Sequence, residues 1–238
     1  MRLGTPARDF EDFAACHLIL IAVPDDAIAG VARQLAGASF PFRGKVVLHT
    51  SGARDSGALA PLRGRGAAVG SLHPLQTFGR RALSLAGVFF AIEGDEAAMR
   101  LARSLVADWG GKLLRLRPDR KLLYHAAATF ASPLVMPLLE AAVLAMAGAG
   151  VPRKRAVQAL QPLVATTLEN FARLGRRSWT GPLARGDAGT VRGHLESLAS
   201  CHPDLEQYYR ASALAALKLL GRHRELRQVL EEEAKSSG

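Results

Sequence analysis

The sequence predicts an α/β domain built on a parallel sheet, followed by an all-helical domain, with the change of character near Pro118. Three observations predict it. Short apolar runs recur through the first half, with room for a helix between most of them. No such run returns after Pro118. The second half instead places apolar residues at helical spacing between Gly and Pro breaks.

Leu18-Ile19-Leu20-Ile21-Ala22-Val23 is a continuous apolar run closed by Pro24-Asp25-Asp26, the pattern of a strand buried on both faces. Asp25 or Asp26 can cap a helix over Ala27 to Leu35. Lys45 to Thr50 (KVVLHT) reads as a second buried strand, Ser51-Gly52 as a turn, and Ser56 to Arg63 as a short helix. Ala67 to Leu72 is a third strand ending in His73-Pro74, and Val88 to Ile92 a fourth. Gly94-Asp95 leads into an amphipathic helix from Glu96 to Trp109, with Ala98, Leu101, Leu105 and Trp109 on one side. Lys112 to Leu116 closes the series as an edge strand. Strands alternating with helices imply right-handed βαβ crossovers.

Beyond Pro118, Asp119 to Gly148, Pro152 to Leu174, Asp187 to Ser200, Pro203 to Leu220 and Arg222 to Lys235 all read as helices. In the second of these, Ala156, Leu160, Leu163, Thr167, Phe171 and Leu174 have the spacing of one buried face. The expected domains are therefore 1–118 and 119–238.

A formal charge of +10 raises the question of nucleic acid, but the positive surplus is the same in residues 1–118 and 119–238, with no basic arm. No nucleic-acid partner is expected. Arg153-Lys154-Arg155 opposes the dipole at a helix start and reads as a solvated face. Cys16 and Cys201 stand far apart without a metal-binding spacing, which argues against a disulfide framework and a structural zinc site and suits a reducing cytoplasm. Met1 to Ala15 lacks the apolar core of a secretory signal. Ala126 to Gly150 is apolar but interrupted by Pro133, Pro137 and Glu140, so a buried helix is expected there and no membrane span.

In an open parallel sheet, ligands lie beyond the C-terminal ends of the strands. Val23-Pro24-Asp25, Thr50-Ser51-Gly52 and His73-Pro74 occupy those positions. Gly52 leaves room for a close approach, Ser51 can donate a hydrogen bond, and the His73 ring can bind a carboxylate or carbonyl. On the helix that follows Pro118, Lys121, His125, Ala128 and Ser132 share one face. Lys121 can protonate the oxygen of a carbonyl that receives hydride, and His125 can serve as relay or acid. Further on, Asp187 is placed to cap a helix, and Arg185, between two glycines that permit turns, can grip a substrate carboxylate.

The segments LILIAVPDDAIA, KVVLHTSGA, GSLHPLQTF, DRKLLYHAAATFAS and TGPLARGDAGTVRGHL, in this order, resemble the Rossmann-like short-subunit dehydrogenases whose C-terminal half is a helical domain of unknown function. That family is related to pyrroline-5-carboxylate reductase, ketopantoate reductase and the β-hydroxyacid dehydrogenases. The resemblance runs from about Ala14 to Leu220. It implies a partial Rossmann-type sheet that takes NADP or NAD, a helical domain that pairs two subunits into a homodimer, and an oxidoreductase acting on a small anionic carbonyl, imine or hydroxy-acid substrate. Carried over, Val23, Pro24, Thr50, Ser51 and Gly52 line the cofactor, with Lys121, His125 and His73 as the catalytic group. Thr180, Arg185 and Asp187 line the substrate.

Two departures qualify the match. The family opens with a strand and a GxGxxG turn whose amides hold the pyrophosphate. Here residues 1–118 hold no such turn and begin about one βαβ unit late, so the chain reads as truncated at its N-terminus. Weak or absent dinucleotide binding is expected from these residues, with an open sheet edge. Ala131-Ser132-Pro133 also stands where members commonly have Ala-Ser-Asn. The competing expectation is a non-catalytic dimeric scaffold or ligand-binding module.

Overall fold

The computed structural model describes residues 9–79, 84–220 and 224–232. Residues 1–8 of the expected signal-free N-terminus, and residues 222–223 and 233–235 of the expected last helix, lie outside them. The chain falls into two compact units that divide between Pro133 and Leu134.

The first unit contains β1 (Leu18–Ile21), α1 (Ile28–Ala36), β2 (Val46–His49), a 3-10 turn Ser56–Leu59 running into α2 (Ala60–Gly64), and β3 (Ala68–Pro74). It continues with β4 (Phe89–Gly94), α3 (Glu96–Asp108), β5 (Lys112–Arg115), a 3-10 turn Pro118–Arg120 and α4 (Lys121–Ala131). All five expected strands form, with ends displaced by one or two residues, and the first helix after Pro118 groups with the sheet.

The five strands lie in the order β1-β2-β3-β4-β5. All neighbours are parallel except β3 and β4, which run antiparallel. This departs from the expected uniform βαβ series. A parallel return needs a crossover helix, and residues 75–79 and 84–88, between the two strands, form none.

Each face of the sheet closes over its own core. Ile19, Ile21, Val47 and Val69 pack with Ile28 and Leu35 of α1, Phe42, Leu59, and Leu62 of α2. Val46, Leu48, Leu72, Phe90 and Ile92 pack with Ala98, Met99, Ala102 and Val106 of α3. β2 is buried throughout, whereas β1 is not the doubly buried strand its apolar run suggests: Leu20 is 48% exposed. The cause is position. β1 is an edge strand, and α3 packs on β2, β3, β4 and β5.

The second unit holds α5 (Val135–Gly148), α6 (Arg153–Leu174), a 3-10 turn Gly175–Ser178, α7 (Pro182–Arg185), α8 (Ala188–Cys201), α9 (Pro203–Leu220) and α10 (Arg224–Glu232). Its core is Val191, Leu195, Ala213, Leu217, Leu226 and Leu230, from α8, α9 and α10. A cavity of about 750 Å³ between α5, α8 and α9 is lined mainly by apolar and small residues such as Leu138, Ala145 and Leu205.

Two expectations for the helical half need correction. The long helix expected over Asp119 to Gly148 is interrupted at residues 132–134, around Pro133, whose ring cannot sit in a helix interior without cost. The segment is long and apolar enough to cross a membrane by length and composition, and little of it is buried: its residues are a mixture of half-buried and exposed. The stripe on α6 exists at helical spacing but is not covered: of its members Ala156 is buried, while Leu163 and Phe171 lie well exposed.

Candidate functional site

A polar row crosses the interior of the sheet. Strand register sets Ile21 beside His49, His49 beside Ser71, and Ser71 beside Glu93. Paired residues point to the same face of a sheet. Three polar side chains from β2, β3 and β4 therefore lie together, and all three are buried.

Each is satisfied from within the protein, as buried polar groups must be. His49 Nε2 donates to the Asp55 carbonyl at 3.1 Å, and its Nδ1 accepts from the Ser51 amide at 3.2 Å. Burial, and next the Lys121 charge, lower the His49 pKa to about 4, so the ring is neutral near pH 7. The Glu93 carboxylate accepts from the Ser56 amide at 2.9 Å and from the Ser56 hydroxyl at 2.8 Å. Burial pushes its pKa up, against the pull of those bonds and of Lys121.

α4 is laid over this row. Lys121, Tyr124 and His125 stand at i, i+3 and i+4, one face of the helix, and each meets a residue of the sheet or of the β2 exit. Lys121 Nζ donates to the Ser51 carbonyl at 2.6 Å and to the Ser71 hydroxyl, and lies 3.9 Å from Glu93 Oε1. It is 1% exposed, and burial lowers its pKa to about 8. Leu122 and Leu123 point away and are largely exposed.

Tyr124 and His125 reach the exit of β3. The Tyr124 hydroxyl lies 2.8 Å from His73 Nδ1, with the two rings edge to face. Burial raises Tyr124 to about 12 and, with the Lys121 and His125 charges following, lowers His73 to about 4. Both groups are uncharged near neutrality. A hydroxyl donating to Nδ1 leaves the imidazole proton on Nε2. That atom faces Gly52: a methyl on Gly52 would stand 2.8 Å from His73 Nε2 and 2.7 Å from His125 Nδ1. His125 Nδ1 is buried and has no hydrogen-bond partner among the described residues.

Beside this cluster opens a cleft of about 700 Å³, lined by Asp25, Asp26, Arg54, Asp55, Asp119 and Lys121 among others. It lies at the C-terminal ends of β1 and β2, where an open sheet receives ligands.

The structure thus brings together Ser51, Gly52, His73, Lys121 and His125. Ser51 and Gly52 are themselves buried, and the Ser51 hydroxyl is taken up by the Ala53 and Arg54 amides, at 3.1 and 2.9 Å. Val23 and Thr50 are half-buried and Pro24 is exposed at the strand ends. In the second unit, Asp187 caps α8 by accepting from the Thr190 amide at 3.0 Å and hydroxyl at 2.7 Å. Arg185, with Gly181 and Gly186 in positive-φ conformations at either end of α7, is 66% exposed and 4.0 Å from Asp187. Thr180 is exposed.

Tyr124, His49, Ser71, Glu93 and Ser56 escape sequence reasoning. Three of them carry a signal: His49, Ser71 and Glu93 are polar residues inside apolar strand runs. Such a residue has to find a partner once its neighbours are buried.

Comparison with known proteins gives two family matches. Residues 4–74 match a Rossmann-like domain, and residues 88–216 match DUF2520, a domain of unknown function. No curated protein matches the chain. Among solved structures, a protein from Thermotoga maritima is 24% identical, with a TM-score of 0.66 over 90% of this chain and 78% of its own. A Bacteroides fragilis protein described as an NADP oxidoreductase is 20% identical, with a TM-score of 0.67 over 84% and 74%. A reductive aminase from Aspergillus terreus, in complex with NADPH and ethyl-5-oxohexanoate, is 14% identical, with a TM-score of 0.66 over 95% and 82%. At these identities the likeness establishes a shared fold.

Proposed function

The chain belongs to the DUF2520 family, and we propose that it is an NAD(P)-dependent oxidoreductase acting on a small carbonyl, imine or hydroxy-acid substrate. One observation carries this reading: an uncharged His73, backed by Tyr124 and flanked by His125, stands at the ligand-receiving ends of the strands. The fold is one it shares with proteins described as NADP oxidoreductases.

The residues present fit one end of a nicotinamide dinucleotide. Val23, Pro24 and Thr50 would hold the nicotinamide end, and Asp25 or Asp26 would accept from ribose hydroxyls. A diphosphate is less well served: the cleft sets Asp25, Asp26, Asp55 and Asp119 against Arg54, and Lys121 in its wall is buried. The bound cofactor would supply hydride. The chain's own part is proton handling: His73 presents Nε2 toward Gly52, and Tyr124 holds the ring by Nδ1. His125 Nδ1 is the open hydrogen-bonding position next to it. In the second unit, the exposed Arg185 guanidinium is the proposed holder of a substrate carboxylate.

The reading includes a homodimer through the helical domain. Its support is the row of large apolar residues left bare on α5 and α6, including Met136, Leu163, Leu168 and Phe171. A non-catalytic dimeric module is the second reading, favoured by the acidic lining of the cleft.

Calorimetric titration with NADPH and NADH, followed by cofactor oxidation with a panel of small keto and imino acids, separates the two. The oxidoreductase reading expects weak but saturable cofactor binding, and a fall in turnover of about 100-fold or more in His125→Ala with binding retained. No saturable binding of either cofactor would leave the second reading in place.

A further inference from the structure

Lys121 has the chemistry of a proton donor but not the accessibility of one. Lys121 reaches the wall of the cleft, but with 1% of the residue exposed its ammonium is all but closed to a ligand. Two of its N–H groups go to Ser51 and Ser71, and its charge faces Glu93, itself 2% exposed and fastened through Ser56 to the turn after β2. Those partners come from the exit of β2, from β3 and from β4. Lys121 is the first residue of α4, the helix that carries Tyr124 and His125 one turn later.

We infer that Lys121 is a positioning residue: with Glu93 as its counter-charge, it clamps the start of α4 onto the polar row of the sheet, and His73 and His125 are left to meet the ligand. The inference uses the oxidoreductase reading only for what that ligand is. The clamp follows from burial and distance.

Cutting one half of such a pair strands the other. Lys121→Met removes the cation at nearly constant volume and leaves a carboxylate buried without its counter-charge; breaking a buried pair from one side is strongly destabilising, whereas replacing both members is often neutral. The positioning role also has an electrostatic reach. The groups facing His73 are Tyr124 and His125 from α4, Lys121 beneath, and Asp25 from the exit of β1. Removing Lys121 takes away a charge that disfavours the imidazolium, and removing the Glu93 charge leaves Lys121 uncompensated.

The test compares thermal unfolding and the NMR titration of the His73 ring in Lys121→Met, Glu93→Gln and the double variant. Expected are a fall in Tm of about 10 °C for Lys121→Met and recovery of at least half of it in the double variant. The His73 midpoint should rise in Lys121→Met, which removes a charge that disfavours the imidazolium. A double variant no more stable than Lys121→Met would overturn the inference, as would a His73 midpoint unmoved in Lys121→Met. Neither readout needs turnover or bound cofactor, so the failure of the oxidoreductase reading and the failure of the clamp are separately visible.

Discussion

Leu48 in β2 and Leu168 in α6 are the same side chain in two different situations. Leu48 is 1% exposed, enclosed by α3 on one face of a sheet whose other face is closed by α1 and α2. Leu168 is 67% exposed, on a helix of 22 residues in which Ala156 alone is buried among the described residues. Both faces of the sheet close over a core, whereas α5 and α6 leave most of their large apolar side chains bare. An apolar stripe in a sequence says that a face will be covered, and leaves open whether the cover belongs to the same chain.

Leu48→Ala should cost about 2–5 kcal/mol in unfolding free energy, because the packed site cannot collapse around the cavity. A loss below about 1 kcal/mol by denaturant titration would mean that the first core is looser than its burial implies. Acid should strike the same unit. His49 and His73 have their pKa values lowered from 6.5 to about 4. Between those values the unfolded chain binds protons that the fold resists, so stability falls as pH drops through that window and these two rings leave it unchanged above 6.5. Linkage allows at most about 3 kcal/mol for the buried His49 and less for the half-buried His73, whose charge solvent partly screens. Urea midpoints flat from pH 7 to pH 4.5 would refute their neutral state. The smallest effect on the isolated chain is expected at Leu168→Glu, within about 0.5 kcal/mol because the residue packs on little. In sedimentation the same variant should shift a dimer to monomer, and an unaltered dimer would remove α6 from the proposed interface.

What the sequence told depended on whether the cause was local. The strand at Lys45 to Thr50, the helix from Glu96 and the Asp187 cap were legible because each rests on period, composition or a single capping side chain. The shared face of Lys121 and His125 was legible for the same reason. The antiparallel β4 was not, since strand direction depends on how the connection closes rather than on the apolar run itself. The burial of Lys121 was also hidden. Its sequence neighbours are the exposed Arg120 and Leu122, while the partners that enclose it, Ser51, Ser71 and Glu93, come from three other places in the chain. The half-buried β1 followed from its place at the edge, which needs the strand order.

The reversed β4 also marks a seam. Strands β1 to β3 form one parallel group and β4 with β5 another, and the two groups meet along the single β3–β4 ladder. The two matched regions part at the same line, one ending at residue 74 and the other starting at residue 88. His49, Ser51, Ser71 and His73 come from one side of it, and Glu93, Lys121, Tyr124 and His125 from the other. Neither half owns the histidine cluster or the buried ion pair with its hydroxyl partners; both need the ladder closed, so this polar assembly is a property of the joint.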